Sequence, residues 1–283
     1  MTTFTSYRVF LSFILLTVFG NLSGQIVHFN KIKWEKEKIT SGLVWKSSHT
    51  ILNDSIPQNI NILIINIHKR ELSLSYNPKE NKLVSNQATA NGAIAAVNAG
   101  FFNIKNGGSA TYIKTGGLIN DTDTAKKWTK NSNMNGAVLI DKNGHVTIEP
   151  AKSNSWYDSH TDYQDVLITG PLLIYEKGKI PLPSTPLAIN KHPRTSIGKI
   201  GNHKIVLITL DGRTNQAKGV TLTELTDIMI SLRCKNAVNL DGGGSTTMYI
   251  AGKPFSGIVN MPCDNKKFDH EGERAVSDIL VVK

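Results

Sequence analysis

The chain has two cysteines in 283 residues, Cys234 and Cys263. Two thiols are too few for a disulfide framework or a cysteine-based zinc site, and their spacing does not say whether they meet. The eight histidines show no HxxxH or HxH spacing, and no carboxylate run follows the alternation of an EF-hand loop. No metal and no cofactor is therefore expected. No GxSxG turn surrounds any serine, which argues against a hydrolase built on a serine elbow. The net charge is +10, yet the basic residues stay scattered, as in Lys126-Lys127 and Lys266-Lys267. Without a basic run or an RNP, zinc-finger or helix-turn-helix pattern, no nucleic-acid partner is expected. Long apolar runs are also scarce. The one present, residues 9–19, follows Arg8 and precedes the small residues NLSG at 21–24. It is shorter than the roughly 20 residues of a membrane span. Residues 1–24 read as a cleavable signal peptide, giving a periplasmic or secreted protein with no stable membrane insertion after cleavage.

What is present is ordinary for a globular chain, 40% hydrophobic and 19% charged, with length enough for a sizeable core. Residues 43–52, 59–68 and 71–76 alternate β-branched and polar positions and predict antiparallel strands. Residues 85–91 suggest a short helix before a strand of small residues at 93–98. Hairpins are expected over 109–120 and over 137–148, the latter across DKNG, and a polar surface loop over 121–135. Residues 163–167 suggest a helix, 172–180 a strand pair, and 181–193, with four prolines, an extended connection. Strands follow at 194–200 and 204–210. Thr221-Leu222-Thr223-Glu224 is a capping-box pattern opening a helix over 222–234, and Glu224 reads as its cap. Residues 237–240, 246–250 and 274–282 predict further strands, the last an interior one. No repeat or linker divides the chain. The expectation is one α+β domain, a mixed and largely antiparallel sheet with a few packed helices, in which residues 25–84 form an N-terminal β-rich part.

The densest site-like signal is NLDGGGSTTM at residues 239–248. Three consecutive glycines cost chain entropy and add no packing, so they mark positive φ or close approach of another group. Asp241 ends a strand there, the amides of Gly242, Gly243 and Gly244 could form an anion-binding nest, and Ser245 and Thr246 add hydroxyls. A second signal is NAGFFN at 98–103, where Asn98 and Asn103 offer donors and acceptors for sugar hydroxyls and Phe102 an apolar platform. Core packing for the phenylalanines and turn capping for the asparagines stand beside that reading.

Four segments together, AVNAGFFN (96–103), HPRTSIG (192–198), LDGR with GVTLTEL (210–213, 219–225) and NLDGGGSTTM, resemble the phosphodiester glycosidase family. The resemblance spans about residues 88–282, so residues 85–283 are expected to form a domain of that kind. It implies hydrolysis of a sugar-1-phosphodiester at the anomeric C–O bond to free sugar and a phosphomonoester. A phosphodiester is a permanent anion, which an arginine fork suits better than lysine. Arg194, Arg213 and Arg274 are the candidates, with Thr195 and Ser196 lining the pocket. Asp241 is the first candidate for the catalytic carboxylate and Asp211 the second, although Asp211 in Asp-Gly equally suits an Asx turn. Two alternatives stay open: a phosphodiesterase cutting P–O, and an exported polysaccharide-binding or exopolysaccharide-assembly protein without turnover.

Overall fold

The computed structural model describes residues 32–52, 56–120 and 133–283. The expected signal peptide and most of the polar loop at 121–135 lie outside the described residues. Among these, strand makes up 42% and helix 14%, so the architecture is sheet-dominated rather than evenly α+β. The expected largely antiparallel arrangement with few helices is present, but it is divided over three sheets.

The alternating N-terminal segments form β1 (Glu35–Thr40), β2 (Leu43–Leu52), β3 (Ile56–Asn66) and β4 (Leu72–Tyr76). The short helix Val84–Ala90 leads into β5 (Ala95–Asn98). Next come β6 (Ile113–Thr115), β7 (Leu118–Asn120), β8 (Gly136–Asp141), β9 (Val146–Pro150), β10 (Tyr163–Thr169), β11 (Leu172–Tyr175) and β12 (Gly178–Lys179). The chain continues through β13 (Arg194–Ile200), β14 (Lys204–Leu210), the helix Leu222–Ser231, β15 (Asn236–Asn239), β16 (Met248–Ile250) and β17 (Asp278–Val282). The eight-stranded sheet runs β1-β2-β3-β14-β13-β15-β11-β12, the five-stranded sheet β7-β6-β10-β8-β9, and the four-stranded sheet β16-β5-β17-β4.

One shared core joins them. Leu63, Ile197, Leu207 and Val238 of the large sheet pack with Val97 and Leu280 of the four-stranded sheet and with Val138 and Leu167 of the five-stranded one. Each such side chain contributes about 1.5–3 kcal/mol by leaving water. The other face of the large sheet is covered by the helix Leu222–Ser231 through Leu222, Leu225, Ile228 and Met229. A Cβ on Gly198 would lie 2.5 Å from Met229 Cε and 2.6 Å from Cys234 Sγ, so the helix approaches as closely as it does only over a glycine.

Three sequence expectations differ from the fold. Residues 163–167 lie in β10, paired with β8. The polar start Tyr163-Gln164-Asp165 masks a strand whose Val166 and Ile168 face one cluster while Leu167 faces the shared core. Two short helices were not expected: Asn154–Ser159, capped by Ser153, and Pro186–Ile189 inside the proline-rich connection, with proline in its first turn. The final strand begins at Asp278 rather than at 274, and it is interior, between β5 and β4. Among the described residues no helix is long and apolar enough to cross a membrane.

The register of the large sheet places the site. Trp45, Leu63, Leu207, Ile197 and Val238 form one transverse row across β2, β3, β14, β13 and β15. Two residues along, on the same face, the row reads Ser47, Asn61, Thr209 and Thr195. The apolar core stops at that row. The capping box expected at Thr221 and Glu224 is formed in both directions, and Thr221→Ala is expected to cost about 1 kcal/mol. Differential scanning calorimetry should read this as a melting temperature lower by about 2–4 °C.

Candidate active site

Over the polar end of the large sheet, Asn98 at the tip of β5 ties three segments together. Its Oδ1 accepts Thr195 Oγ1–H at 2.7 Å and Thr247 N–H at 3.1 Å, while its Nδ2 donates to the Asp241 carbonyl at 2.6 Å. The side chain is buried, with both acceptor directions of Oδ1 and one Nδ2–H engaged inside the protein. Asn98 therefore holds the glycine loop against β13.

Three aspartates stand at this end, and burial pushes each of their carboxyls up to about 6. Asp211 is 1% exposed; its Oδ1 accepts Asn260 Nδ2–H (2.8 Å), and its Oδ2 accepts Asn59 Nδ2–H (2.6 Å) and Met261 N–H (2.9 Å). Asp278, which the sequence reading left without a role, is equally buried and accepts from Gly100 N–H and Ser277 Oγ–H. Asp241 is different. It retains partial exposure although protein surrounds the carboxyl closely enough to raise it. Its Oδ1 takes the Gly242 amide at 2.9 Å. The Ser245 hydroxyl and the Arg274 guanidinium lie near enough to favour the ionised form, and Asp278 opposes it. Ser245 Oγ makes no well-directed hydrogen bond there.

The three glycines do not form the expected nest. The Gly242 amide goes to Asp241 and the Gly243 amide to the Pro193 carbonyl at 2.9 Å. The glycines serve close approach instead. Gly243 has φ +64°, and a Cβ there would sit 2.9 Å from Arg213 Nη2. A Cβ on Gly244 would collide with Arg274 Nη2 and lie 2.6 Å from Asp264 Oδ1, and one on Gly242 would lie 2.8 Å from Pro193 O. Two guanidinium groups thus rest on the bare backbone of the loop beside Asp241.

Arg274 is fixed by Asp264, whose Oδ1 accepts from Nε (3.0 Å) and Nη2. The preceding Glu273 fastens this segment to the start of the helix Val84–Ala90, accepting Ser85 N–H at 3.0 Å and Ser85 Oγ–H at 2.6 Å. Arg213 is exposed and held at φ +64°, a left-handed conformation uncommon outside glycine. It flanks Cys263, whose buried thiol is pushed up by desolvation and donates weakly to the Gly243 carbonyl at 3.9 Å. Neither Cys263 nor Cys234 is in a disulfide.

The remaining sequence candidates divide by strand parity. Thr195 faces the site, whereas Arg194 and Ser196 point to the opposite face of β13. Arg194 is 1% exposed and donates to the carbonyls of Val220 (2.9 Å), Leu187 (2.7 Å) and Asn190 (2.9 Å). It braces the proline-rich connection, and desolvation lowers its guanidinium to about 10. Ser196 Oγ donates to Val238 O at 2.8 Å. Phe102 packs beside the outer cluster of the four-stranded sheet, and Asn103 Oδ1 accepts the Lys105 and Asn106 amides in a local turn. Conversely, the buried hydroxyls of Ser245, Thr246 and Thr247 have no hydrogen-bond partner. Buried polar groups are ordinarily paired, so the orphan hydroxyls of Thr246 and Thr247, with Ser245 Oγ poised toward Asp241, are an unusual concentration of unsatisfied polar atoms at this end of the sheet. Asn260, which receives the Met248 amide and donates to Asp211 and the Thr246 carbonyl, was also not singled out. An isolated asparagine in a loop gives no sequence signal; Asp278, a charge opening an apolar strand, did give one. Among the described residues no three His, Cys, Asp or Glu side chains are gathered to hold a metal ion.

Two predictions come from this arrangement. The folded chain holds its three aspartyl protons to about pH 6, whereas unperturbed carboxyls release theirs near 3.8. Between those values these three groups bind more protons in the folded state than in the unfolded, so their contribution to stability falls as pH rises from 4 to 6 and then levels off. Urea midpoints across that range check this; midpoints that climb would show that hydrogen bonding outweighs burial. Second, Asn98→Ala, which orphans a buried amide, a hydroxyl and a carbonyl, is expected to lose about 2–4 kcal/mol in the same measurement.

Comparison with known proteins fits this geometry. The phosphodiester glycosidase family model matches residues 91–283. The SPbeta prophage-derived protein YomE of Bacillus subtilis, uncharacterized, is 37% identical over 92 residues, which is 32% of this chain and 13% of that protein. Human N-acetylglucosamine-1-phosphodiester alpha-N-acetylglucosaminidase is 41% identical over 72 residues, 25% of this chain and again 13% of the relative. Among solved structures, the zebrafish N-acetylglucosamine-1-phosphodiester alpha-N-acetylglucosaminidase catalytic domain, auto-inhibited by its pro-peptide, superposes with a TM-score of 0.63 at 18% identity. That match covers 90% of this chain and 85% of that one. A hypothetical protein from Synechocystis gives the same TM-score at 15% identity, covering 88% of this chain and 63% of the other. These two likenesses establish the fold.

Proposed function

We propose that this chain, which belongs to the phosphodiester glycosidase family, is an exported hydrolase that cleaves a sugar-1-phosphodiester at the anomeric C–O bond. One observation carries the reading. Of the three aspartates pushed up to about 6, Asp241 alone is partly open to solvent; the Arg274 guanidinium and the Ser245 hydroxyl act on it, and the loop it opens also carries the Arg213 guanidinium and the unpartnered hydroxyls of Thr246 and Thr247. Arg213 and Arg274 supply the positive charge that a phosphodiester anion requires, and Ser245, Thr246 and Thr247 supply hydrogen-bonding atoms for the sugar or phosphate oxygens. Asp241, ionised, either takes a proton from an attacking water or itself attacks the anomeric carbon, in which case water then hydrolyses the glycosyl–aspartyl ester to release the sugar and restore the carboxylate. The C–O bond breaks, and the electron pair leaves with the phosphomonoester. A phosphomonoester leaves far more easily than an alkoxide, so one dominant carboxylate suffices. Asp211, with both oxygens engaged, is a positioning residue that sets the loop through Asn260. The N-terminal leader pattern supports export.

Asp241→Asn is expected to fold normally and to lose release of free sugar by about 10³-fold or more, the scale of losing a nucleophile or base. In ¹⁸O-labelled water, label in the sugar marks C–O cleavage. Label in the phosphate would replace this reading with a P–O phosphodiesterase, and glycan binding without product would replace it with a binding protein. Because Asp241 acts ionised, kcat/KM should rise with pH through an acid limb near 6. Asp278→Asn should move that limb downward, since it removes a like charge that opposes ionisation. An unmoved limb in a folded variant would detach Asp278 from the site.

Gly244→Ala separates packing from chemistry. Gly244 does not need positive φ, so the backbone is not strained and the fold should lose about 1–3 kcal/mol from shifting the Arg274–Asp264 pair. Its methyl displaces the Arg274 tip, and kcat/KM for the phosphodiester is expected to fall at least tenfold.

A further inference from the structure

Beside the glycine loop, a groove of about 450 Å³ opens at the N-terminal edge of the large sheet, lined in part by Trp34, Trp45, His49, Asn59, Asn61 and Met261. Most of it comes from β2, β3 and the residues before β1, outside the 91–283 match to the family. The register makes the groove. Ser47 pairs with Asn61 and His49 with Asn59, so these four side chains share one face, two residues apart along each strand.

The amide at its floor is oriented and unsatisfied. Asn61 is 1% exposed, its Oδ1 accepts Trp45 Nε1–H at 3.1 Å, and its Nδ2 has no partner. The indole thereby fixes which end of the amide is left as the donor. Asn59 is oriented the other way. Its Nδ2 donates to Asp211 Oδ2 at 2.6 Å, which leaves its oxygen as the acceptor. A donor and an acceptor about 7 Å apart along one strand, next to indole surface, match the hydroxyl-rich edge and apolar face of a sugar ring. The charges lining the groove, Lys33 and Glu35, are of opposite sign, and Lys253, over the Trp45 ring, is paired with Glu37 at 2.5 Å. That balance selects a neutral ligand. A cleft of about 650 Å³ lined by Arg213, Lys218, Lys266 and Lys267 has the opposite character, and Phe268 at its edge meets His49 of the groove with ring centroids 5.7 Å apart.

We propose that this groove is a neutral-sugar subsite that holds a unit of the substrate remote from the bond that breaks. Its place in the substrate rests on the phosphodiester glycosidase reading; its capacity to bind sugar does not. The groove is linked to the site through Asp211, which accepts from Asn59 and from Asn260, and through Asn260, which also donates to the Thr246 carbonyl. A sugar in the groove therefore sits one buried carboxylate away from the glycine loop.

Intrinsic tryptophan fluorescence of the full-length mature protein, titrated with maltohexaose, cellohexaose and chitohexaose, tests this. At least one of these oligosaccharides should give a saturable change. Asn61→Ala should weaken it at least tenfold. Ser47→Phe, which fills the groove from a half-buried position without removing a hydrogen bond of the floor, should do the same, and circular dichroism checks that both variants fold. Asp241→Asn should bind as the wild type does. No saturable change with any of the three, an unaltered affinity in folded Ser47→Phe, or a preference for inorganic polyphosphate over all three would overturn the subsite. Oligosaccharide binding without turnover of any sugar-1-phosphodiester would overturn the hydrolase reading and leave the subsite standing. Turnover with no groove binding would do the reverse.

Discussion

The site depends on Asn98. The large sheet can share its apolar core with the two smaller sheets only as far as the row of Leu63, Leu207 and Ile197; beyond it, Asn61, Thr209 and Thr195 present polar atoms to the interior. A buried polar row is tolerable only where partners reach it. Asn98 brings one from the neighbouring sheet, and the same amide fixes the Asp241 carbonyl and the Thr247 amide. The crosslink that makes the end of the core stable is thus also what sets the glycine loop over it. The buried hydroxyls of Thr209, Thr246 and Thr247, left without partners, show where that compensation stops.

The sequence displayed the loop and the strand ends clearly, because a triple glycine after an apolar strand has few structural uses. It could not display parity. Arg194, Thr195 and Ser196 are adjacent in sequence, but alternation along β13 sends only Thr195 to the site. Nor could local reading distinguish two uses of glycine, since an anion nest and a seat for arginine both call for a missing Cβ. The distinction rests on Arg213 and Arg274, which come from segments 30 and 30 residues to either side of Gly243 and Gly244. Strand β10 was hidden for a different reason: its first three residues are polar, and its partners β6 and β8 are contributed from a distance. Asp278 lay within a stretch correctly read as an interior strand. Its role depends on Gly100, brought beside it only by the pairing of β17 with β5.

The three raised carboxyls show how one environment yields different roles. Burial acts on all three in the same direction and to about the same value, so the shift by itself does not choose among them. Hydrogen bonding does. Asp211 receives three donors and Asp278 two, and a carboxylate whose oxygens are engaged is oriented for holding other groups. Asp241 receives one strong donor, on Oδ1, and lies within the field of Arg274. An arriving phosphodiester would bring a further negative charge toward Asp241, which taken alone would favour its protonated form. In the proposed reaction Arg213 and Arg274 would therefore neutralise the substrate as well as bind it. That neutralisation keeps Asp241 ionised when its charge is needed. The bare glycine backbone lets both guanidinium groups come close enough to do this, which makes the glycines part of the electrostatics of the site rather than only of its shape.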